Sequence, residues 1–295
     1  MGPAKIELPR LEVAGLLRQY GLSPKKGLGQ NFLVDPAALN AVVDAADIPA
    51  DGVVLEVGPG LGHLTRYLAL AARRVAAIEL DKDLIPLLEQ VLADFPNVVV
   101  TQGDILAVDP AVLAGEPGYL VVANIPYYIT SAVIRHLLEA RFKPSRLVLT
   151  VQREVAERIC AAPGDMSLLA LSVQVYGQPR IAARLPAGAF IPPPKVDSAV
   201  VRVDLYDQPR IPSAGLERFF TLAKAGFSQK RKMLRNSLAG GLGILPAQAV
   251  ELLSAAGIDP QRRAETLNLD EWGRLVQNYP TSANPADRGQ AGPVV

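Results

Sequence analysis

The feature that most constrains the fold is an apolar strand that ends in a glycine-rich turn. Residues 53–57 read Val-Val-Leu-Glu-Val, and Gly58-Pro-Gly-Leu-Gly62 follows directly. A helix is predicted from about Leu64 to Ala72. Strand, glycine turn and helix in this order open a nucleotide-binding α/β sheet. The sequence therefore predicts a Rossmann-like sheet with helices on both faces.

The glycine spacing separates two kinds of nucleotide site. A dinucleotide site needs a third glycine three residues after the second, and here that position holds His63. The pattern Glu56-x-Gly58-x-Gly60-x-Gly62 resembles instead the first motif of S-adenosylmethionine-dependent methyltransferases. In that family the backbone of the turn approaches the methionine and adenosine portions of the ligand. A tight turn without a ligand is the structural alternative.

Acidic residues end the next two predicted strands. Glu79 closes the strand that begins at Val75, about 20 residues after the glycines, where a carboxylate can accept hydrogen bonds from ribose hydroxyls. Asp104 follows the strand Val98–Thr101 and can reach an adenine amino group. Because ligands of such sheets bind beyond the carboxyl ends of the strands, Gly58, Glu79 and Asp104 are predicted to share one nucleoside site.

The fourth strand, Tyr119–Ala123, runs into Asn124-Ile-Pro-Tyr127. This combination suits a planar ligand with an amino group. One hydrogen can go to the Asn124 oxygen and the other to the carbonyl of Ile125 or Pro126, while Tyr127 stacks on the ring. A strand that ends in a proline turn with packed tyrosines is the alternative.

Two loops are predicted to complete this site. The segment Pro24–Asp35 combines glycines, amide side chains and apolar anchors, as a lid over a ligand would, although a surface loop has the same composition. The segment Ala189–Ser198 contains three consecutive prolines and is predicted to be rigid and extended. It could press Phe190 on the second face of the target base, or it could be a linker with a packed phenylalanine.

The remaining segments continue the alternation and then become helical. We expect helices at about 10–20, 36–46, 83–95, 131–140, 153–161, 246–256 and 269–278, and strands at 146–151, 171–176 and 199–205. The predicted organisation is a leader (1–22), a methyltransferase domain (23–205), an all-helical RNA-binding domain (206–279) and a disordered tail (280–295).

A basic run lies in the helical part. Between residues 224 and 235 the chain carries five basic side chains and no acidic one, in a protein whose formal net charge is only +1. We predict that they contact RNA phosphates, with a solvated helix face as the alternative. The five are Lys224, Lys230, Arg231, Lys232 and Arg235.

Composition restricts the remaining classes of function. Cys160 is the only cysteine, which excludes an internal disulfide and a cysteine-cluster metal site. His63 and His136 have no partners at ligand spacing and are assigned to structure. Without a membrane span or a signal peptide, we expect a cytoplasmic protein with no membrane contact. In the absence of a coiled-coil pattern, we expect a monomer.

Taken together, the motifs resemble those of the ribosomal RNA adenine N6,N6-dimethyltransferases that modify small-subunit rRNA. The resemblance covers about residues 23–278 and rests on six stretches in the family's order: Gly29-Gln-Asn-Phe-Leu33, Glu56-x-Gly-Pro-Gly-x-Gly62, Ile78-Glu-Leu-Asp81, Gly103-Asp104, Asn124-Ile-Pro-Tyr127 and Phe190-x-Pro-x-Pro-Lys-Val-Asp-Ser198.

The resemblance implies a cofactor, S-adenosylmethionine without a metal, and its contacts. The residues it assigns to the cofactor are Asn31, Leu33, Gly58, Glu79, Asp104 and Asn124, to which we add Gln30, Gly60 and Ile105. The predicted catalytic group is Asn124, Pro126, Tyr127 and Phe190. The implied substrate is a pair of adjacent adenines in a hairpin near the 3′ end of small-subunit rRNA, dimethylated within a pre-30S-type particle.

The motif around Asn124 suggests a mechanism. If Asn124 Oδ1 and a neighbouring carbonyl accept both N6 hydrogens, the nitrogen lone pair is less delocalised into the adenine ring and becomes more nucleophilic. To transfer twice, the pocket must also admit N6-methyladenine, so it should be roomy.

Three other functions stay open at this stage. A large-subunit rRNA adenine methyltransferase would share the N-terminal motifs, but the loop after Phe190 and the helical part after residue 206 favour the small-subunit enzyme. A methyltransferase for glutamine amides would use the same kind of motif, and the aromatic pair with the basic run argues against it. An RNA-binding assembly or transcription factor without turnover is the third.

Overall fold

The computed structural model describes residues 5–280. The strands are β1 (Phe32–Leu33), β2 (Val53–Val57), β3 (Arg74–Glu79), β4 (Val98–Gln102), β5 (Leu120–Asn124), β6 (Arg146–Gln152), β7 (Gly177–Leu185), β8 (Phe190–Ile191) and β9 (Ser198–Leu205). The α-helices are α1 (Val13–Gln19), α2 (Pro36–Ala46), α3 (His63–Ala71), α4 (Ile85–Val91), α5 (Pro110–Ala114), α6 (Thr130–Glu139), α7 (Arg153–Ile159), α8 (Leu168–Gln174), α9 (Ser213–Phe227), α10 (Leu234–Leu242), α11 (Pro246–Ala255) and α12 (Leu269–Asn278).

Seven strands form one mixed sheet in the order β4-β3-β2-β5-β6-β9-β7. The interior strand β2 pairs in parallel with both β3 and β5, so Val57 lies opposite Ile78 on one side and Ala123 on the other. Strand β9 is antiparallel to β6. The chain leaves β2 towards β3 and β4 and later returns to its other side with β5. This reversal is the switch point at which such sheets bind ligands. The predicted Rossmann-like fold is confirmed.

The core forms where apolar strands meet amphipathic helices. Every residue of β2 is buried, as the run of valine and leucine predicts. Helix α2 packs Leu39 and Val42 into the same cluster as Leu68 of α3. Its start is fixed by Asp35, whose Oδ1 accepts a hydrogen bond from the backbone N–H of Ala38 at 2.8 Å.

One predicted strand is wrong. Residues 171–176 belong to helix α8 and the turn after it, and the strand at that edge of the sheet is β7. The alternation of valine with Ser172 and Gln174 imitates a strand, but Ser167 caps a helix by accepting from the backbone N–H of Ala170 at 3.1 Å. Strand β7 was missed because it is polar and contains Pro179, which only an edge strand tolerates.

A separate two-stranded ladder joins the two predicted loops. Strand β1 pairs antiparallel with β8, with Phe32 opposite Ile191 and Leu33 opposite Phe190. The carbonyl of Ala189 also accepts from the backbone N–H of Val34 at 2.9 Å. The loop of the Gln30-Asn31 pair and the proline loop therefore hold each other in place.

The chain divides into two compact units. The first runs to Glu157 and includes Gln178–Leu205, and the second comprises Arg158–Gly177 and the chain from Tyr206 onward. The second unit resumes at Tyr206, and it also includes residues 158–177, which the prediction placed in the first domain. Helix α1, predicted as part of a leader, packs Val13 and Leu17 against buried residues of the first unit.

The second unit is organised around Trp272, which is fully buried on α12. Its ring stacks on Phe227 with the centroids 6.0 Å apart. Asn268 and Glu271 form a capping box at the start of α12.

No single helix within residues 5–280 has the length and composition to cross a membrane, and α10 with α11 meets that test only as a pair bent by 117°. The predicted disordered tail lies, after Pro280, outside the described residues.

Candidate active site

A cleft lies at the switch point of the first unit, beyond the carboxyl ends of the parallel strands. It contains about 1000 Å³ of empty space, including space open to solvent. Of the residues predicted for the site, those that line it are Gln30, Asn31, Leu33, Gly58, Gly60, Glu79, Asp104, Ile105, Asn124, Pro126 and Tyr127. The structure thus brings together all the predicted cofactor residues, and all the predicted catalytic ones except Phe190.

The glycine turn forms one wall of the cleft. Gly58 has a φ of +71°, and a Cβ placed on it would meet no atom within 4 Å, so the missing side chain leaves open space. Gly60 has a φ of +60°, and a Cβ there would lie 2.9 Å from the Phe32 ring. The turn therefore needs glycine at Gly60 for packing, and at Gly58 for the backbone conformation.

Glu79 is held rigidly at the end of β3. Its Oε2 accepts from the backbone N–H of Gly60 and its Oε1 from that of Asp81, both at 2.9 Å. Burial raises the pKa of this carboxyl above its usual value, and the two backbone bonds partly offset the rise. Each oxygen keeps a second lone pair, so a ligand hydroxyl can still donate to it.

Two buried polar side chains, Glu56 and His63, also line the cleft. Burial raises the pKa of Glu56 to about 8 and lowers that of His63 to about 4, so burial favours the neutral form of each. Among the described residues, Oε2 of Glu56 and both ring nitrogens of His63 have no partner with full hydrogen-bond geometry, but Thr65 and the Leu11 backbone lie close enough to oppose the effect of burial on the two pKa values. Neither residue was assigned to the site from the sequence, because one lies within a strand and the other opens a helix.

Asn124 ends β5 with its carboxamide at the cleft. Its Nδ2 donates to the backbone carbonyl of Asn31 at 2.9 Å, which assigns the amide orientation. The Asn31 side chain donates in turn to the carbonyl of Gly29 at 3.2 Å. Because Nδ2 is bonded to the loop, Oδ1 is the atom of Asn124 left to accept from a ligand.

Pro126 and Tyr127 continue the wall after Asn124. The hydroxyl of Tyr127 lies 2.6 Å from Oγ of Ser198, a fully buried side chain on β9. Burial raises the pKa of Tyr127, and the bond to Ser198 acts in the opposite direction. The Pro126 carbonyl accepts from the backbone N–H of Ile129 at 3.1 Å and, at the longer distance of 3.5 Å, from the hydroxyl of Thr130. Ser198 was not predicted as a partner of Tyr127, because 71 residues separate them.

Asp104 and Gln30 already have protein partners. Oδ1 of Asp104 accepts from the backbone N–H of Leu106 at 2.9 Å, which leaves Oδ2 for a ligand. The Gln30 side chain accepts from the backbone N–H of Lys25 at 2.7 Å and donates to Asp81 at 2.8 Å. It therefore fixes the loop, whereas the prediction gave it a cofactor contact.

Phe190 does not line the cleft. Its side chain is only 2% exposed and packs in the hydrophobic core with Leu33 and Leu39. The pairing of β8 with β1 turns it inward. The prediction that Phe190 stacks on the target base opposite Tyr127 is therefore not met in this structure, and the packed phenylalanine named as its alternative is what is present.

The basic run lies in the second unit, across the end of α9, the turn after it and the start of α10. Lys224, Lys230, Arg231 and Lys232 are exposed, and Arg235 is half-buried. None of the five forms an ion pair with another residue of the described chain. Their charges are thus available to a partner.

The chain matches the family model for ribosomal RNA adenine dimethylases over residues 21–280. The chain belongs to this family. A relative from Dehalococcoides mccartyi, named ribosomal RNA small subunit methyltransferase A, is 46% identical over 271 residues, which is 92% of each chain. Two of the solved structures that match this chain illustrate its similarity to RNA-modifying enzymes.

The first of these is the 23S rRNA methyltransferase ErmE, which is 31% identical with a TM-score of 0.69 over 84% of this chain and 99% of its own. The second is a dimethyladenosine transferase from Plasmodium falciparum, which is 26% identical with a TM-score of 0.71 over 83% of this chain and 95% of its own. The predicted family and the predicted enzyme class are confirmed.

Proposed function

We propose that this dimethylase transfers methyl groups from S-adenosylmethionine to the N6 amines of two adjacent adenines near the 3′ end of small-subunit rRNA. It would act on a pre-30S-type particle, as a monomer, in the cytoplasm. The observation that carries the proposal is the Asn124 carboxamide, whose Nδ2 is occupied by Asn31 and whose Oδ1 is left to accept from a ligand at the cleft.

Three features of the cleft support the nucleoside part of S-adenosylmethionine as its ligand. The open space beside Gly58 admits a ligand close to the backbone, and the fixed Glu79 carboxylate can accept from ribose hydroxyls. Oδ2 of Asp104 can accept from an adenine amino group. When bound, S-adenosylmethionine supplies an electrophilic methyl group. We propose that Asn31, Leu33, Gly60 and Ile105 complete its surroundings, while the Gln30 side chain holds the loop that carries Asn31.

In this reaction the protein has to orient the N6 amine of the target adenine. Oδ1 of Asn124 accepts one N6 hydrogen, and the carbonyl of Ile125 or Pro126 accepts the other, which favours a localised lone pair on nitrogen. The Tyr127 ring, held at its hydroxyl by Ser198, provides a face on which the extruded adenine stacks. The transfer needs no protein base beforehand, because the product ammonium loses its proton readily to water.

RNA contact is assigned to the second unit. Five basic side chains without acidic partners can neutralise phosphates, and this interaction carries no sequence information by itself. We propose that residues 206–279 supply this backbone contact, while the cleft selects the amine. The 46% identity to a relative named for the small subunit, against 31% to the 23S enzyme, favours the small-subunit substrate.

The test is methyl transfer from labelled S-adenosylmethionine to isolated ribosomal subunits. The protein is incubated in parallel with unmethylated small subunits, with large subunits and with a protein bearing glutamine-containing loops. Label that appears as N6,N6-dimethyladenine in small-subunit rRNA alone supports the proposal. Label in large-subunit rRNA or in protein would assign a different substrate, and cofactor binding without transfer would indicate a non-catalytic factor.

A further inference from the structure

A closed set of hydrogen bonds fastens the loop before Asn31 to the end of β3. Gln30 Oε1 accepts from the backbone N–H of Lys25 at 2.7 Å, and Gln30 Nε2 donates to Asp81 Oδ2 at 2.8 Å. The Lys25 ammonium donates to Asp81 Oδ1 at 2.6 Å. We call these bonds among Lys25, Gln30 and Asp81 the loop latch.

The latch is centred on a buried charge. The Asp81 side chain is 4% exposed, whereas that of Asp83, which contacts the same ammonium at 2.7 Å, is 45% exposed. Burial alone would raise the pKa of Asp81, but hydrogen bonds from Lys25 and Gln30 outweigh it and hold that pKa below its usual value. A buried carboxylate that loses its donors is costly, while an exposed pair contributes little.

The latch also connects two parts of the cleft. The residue after Gln30 is Asn31, whose carbonyl accepts from Asn124 Nδ2 at 2.9 Å. On the other side, the backbone N–H of Asp81 donates to Glu79 Oε1 at 2.9 Å. The carboxylate proposed for the ribose and the carboxamide proposed for the target amine are therefore fastened to the same loop.

We propose that Lys25, Gln30 and Asp81 are positioning residues for methyl transfer, because they hold the Asn31 carbonyl where it fixes the orientation of the Asn124 amide. This inference rests on the proposed function of Asn124. Without that carbonyl the amide can turn over and present N–H to a substrate N–H, so two donors would meet. The latch affects the rate of transfer, since even a small misplacement of a reacting group lowers that rate strongly.

Three variants and one control test this role. Gln30→Glu puts a carboxylate against Asp81, and Asp81→Asn replaces one acceptor of the latch by a donor. The double variant reverses the polarity of the bond, because the new amide at position 81 can donate to the new carboxylate at position 30. The control is Asp83→Asn, which removes only the exposed partner of the same lysine.

The readouts separate positioning from general damage. Each single variant is expected to lower kcat by roughly 10- to 100-fold, with little change in the dissociation constant for S-adenosylmethionine. Tm should fall in Gln30→Glu, because two carboxylates then face each other, so kcat is compared at a temperature at which every variant is fully folded. The double variant should regain most of kcat, and Asp83→Asn should match the wild type. Single variants with wild-type kcat, or a double variant no better than the worse single one, would overturn the role.

A measurement without RNA tests the latch independently of the proposed function. Trypsin cleavage after Lys25 and Lys26, followed by mass spectrometry, should be faster in Gln30→Glu and slower again in the double variant. Equal cleavage rates in the wild type and in Gln30→Glu would overturn the latch. A wild type that transfers no methyl group would instead refute the proposed function, and the trypsin rates would still decide about the latch.

Discussion

The cleft of the first unit and the basic run of the second unit, which we propose bind cofactor and RNA, hold their functional groups in opposite ways. In the cleft, Asn124 and Glu79 are oriented by other protein groups before any ligand arrives. In the basic run, four of the five side chains are exposed and none has an acidic partner in the described chain. Fixed partners confer geometric selectivity, whereas free charges confer attraction that depends on salt. The two units should therefore respond differently to mutation, salt and pH.

The largest effect is expected at Asn124. Asn124→Ala removes the oriented acceptor and should lower single-turnover methyl transfer by about 100-fold or more. Titration with S-adenosylmethionine should still show binding, because the glycine turn and Glu79 are intact. Near-normal transfer by this variant would show that the oriented Asn124 carboxamide does not control the reaction.

The next effect is expected at Tyr127. Tyr127→Ala removes a stacking face valued at about 1–3 kcal/mol, so kcat/KM for RNA should fall by roughly 5- to 150-fold. Tyr127→Phe keeps the ring and loses only the bond to Ser198, so its loss should be much smaller. Phe142→Ala, at an exposed ring outside the cleft lining, is the control and should behave like the wild type. Equal losses for Ala and Phe would mean that the hydroxyl matters and the ring does not.

A smaller effect, with a distinct signature, is expected in the basic run. Replacing Lys230, Arg231 and Lys232 with alanine should weaken RNA binding and flatten the plot of log K against log salt by about 0.7 to 0.9 for each phosphate that is no longer neutralised. Transfer at saturating RNA should change little. The control is Arg210→Ala, in the same unit, because that arginine already pairs with Asp270 at 2.8 Å. An unchanged salt slope in the triple variant would show that this run does not bind RNA.

The smallest effect on methyl transfer is expected at Glu56, where a substitution changes the pH dependence of stability instead and tests whether water reaches the carboxyl. The pKa of Glu56 is raised from 4.5 to about 8 in the folded chain, so the folded state binds more protons than the unfolded state between these values. The contribution of the Glu56 carboxyl to the free energy of unfolding is fully present below about pH 4.5. This contribution is lost as the pH rises towards 8. Glu56→Gln should therefore gain in Tm relative to the wild type as pH rises from 5 to 8.

Exposed Glu154→Gln is the matched control and should show no such trend. The Tm of the variant is compared with that of the wild type at each pH, because the contribution of His63 to stability has the opposite dependence on pH. Its pKa is lowered to about 4, so its contribution to stability rises with pH from about 4 to 6.5. A flat difference between Glu56→Gln and the wild type would show that water reaches this carboxyl.

Much of the fold could be predicted because consecutive apolar runs are buried on both faces of a parallel sheet. The residues at the strand ends, Gly58, Glu79, Asp104 and Asn124, then had to lie on one rim. The segment 171–176 failed because a capped helix can carry the same alternation as a strand. Both the correct prediction of the rim and the wrong prediction of the strand followed from local sequence patterns.

The contacts that tune the site were not predictable, because they join distant residues. Gln30 meets Asp81 across 51 positions and Tyr127 meets Ser198 across 71. The inward turn of Phe190 follows from its pairing opposite Leu33, which no local pattern indicates. Residue type and spacing identified which groups line the cleft, but not which of them the protein uses to hold its own loops.

The parallel ladder between β2 and β5 has a consequence for how such an enzyme can change. Val57 stands opposite Ala123, one residue before the glycine turn on one strand and one before Asn124 on the other. A single-residue insertion in β5 would turn the following side chains to the opposite face of the sheet, and the carboxamide would leave the rim. An insertion in β2 would displace the glycine turn relative to the carboxamide in the same way. New substrates are therefore accessible through altered loops and appended helices, while the distance between the glycine turn and the amide stays constant.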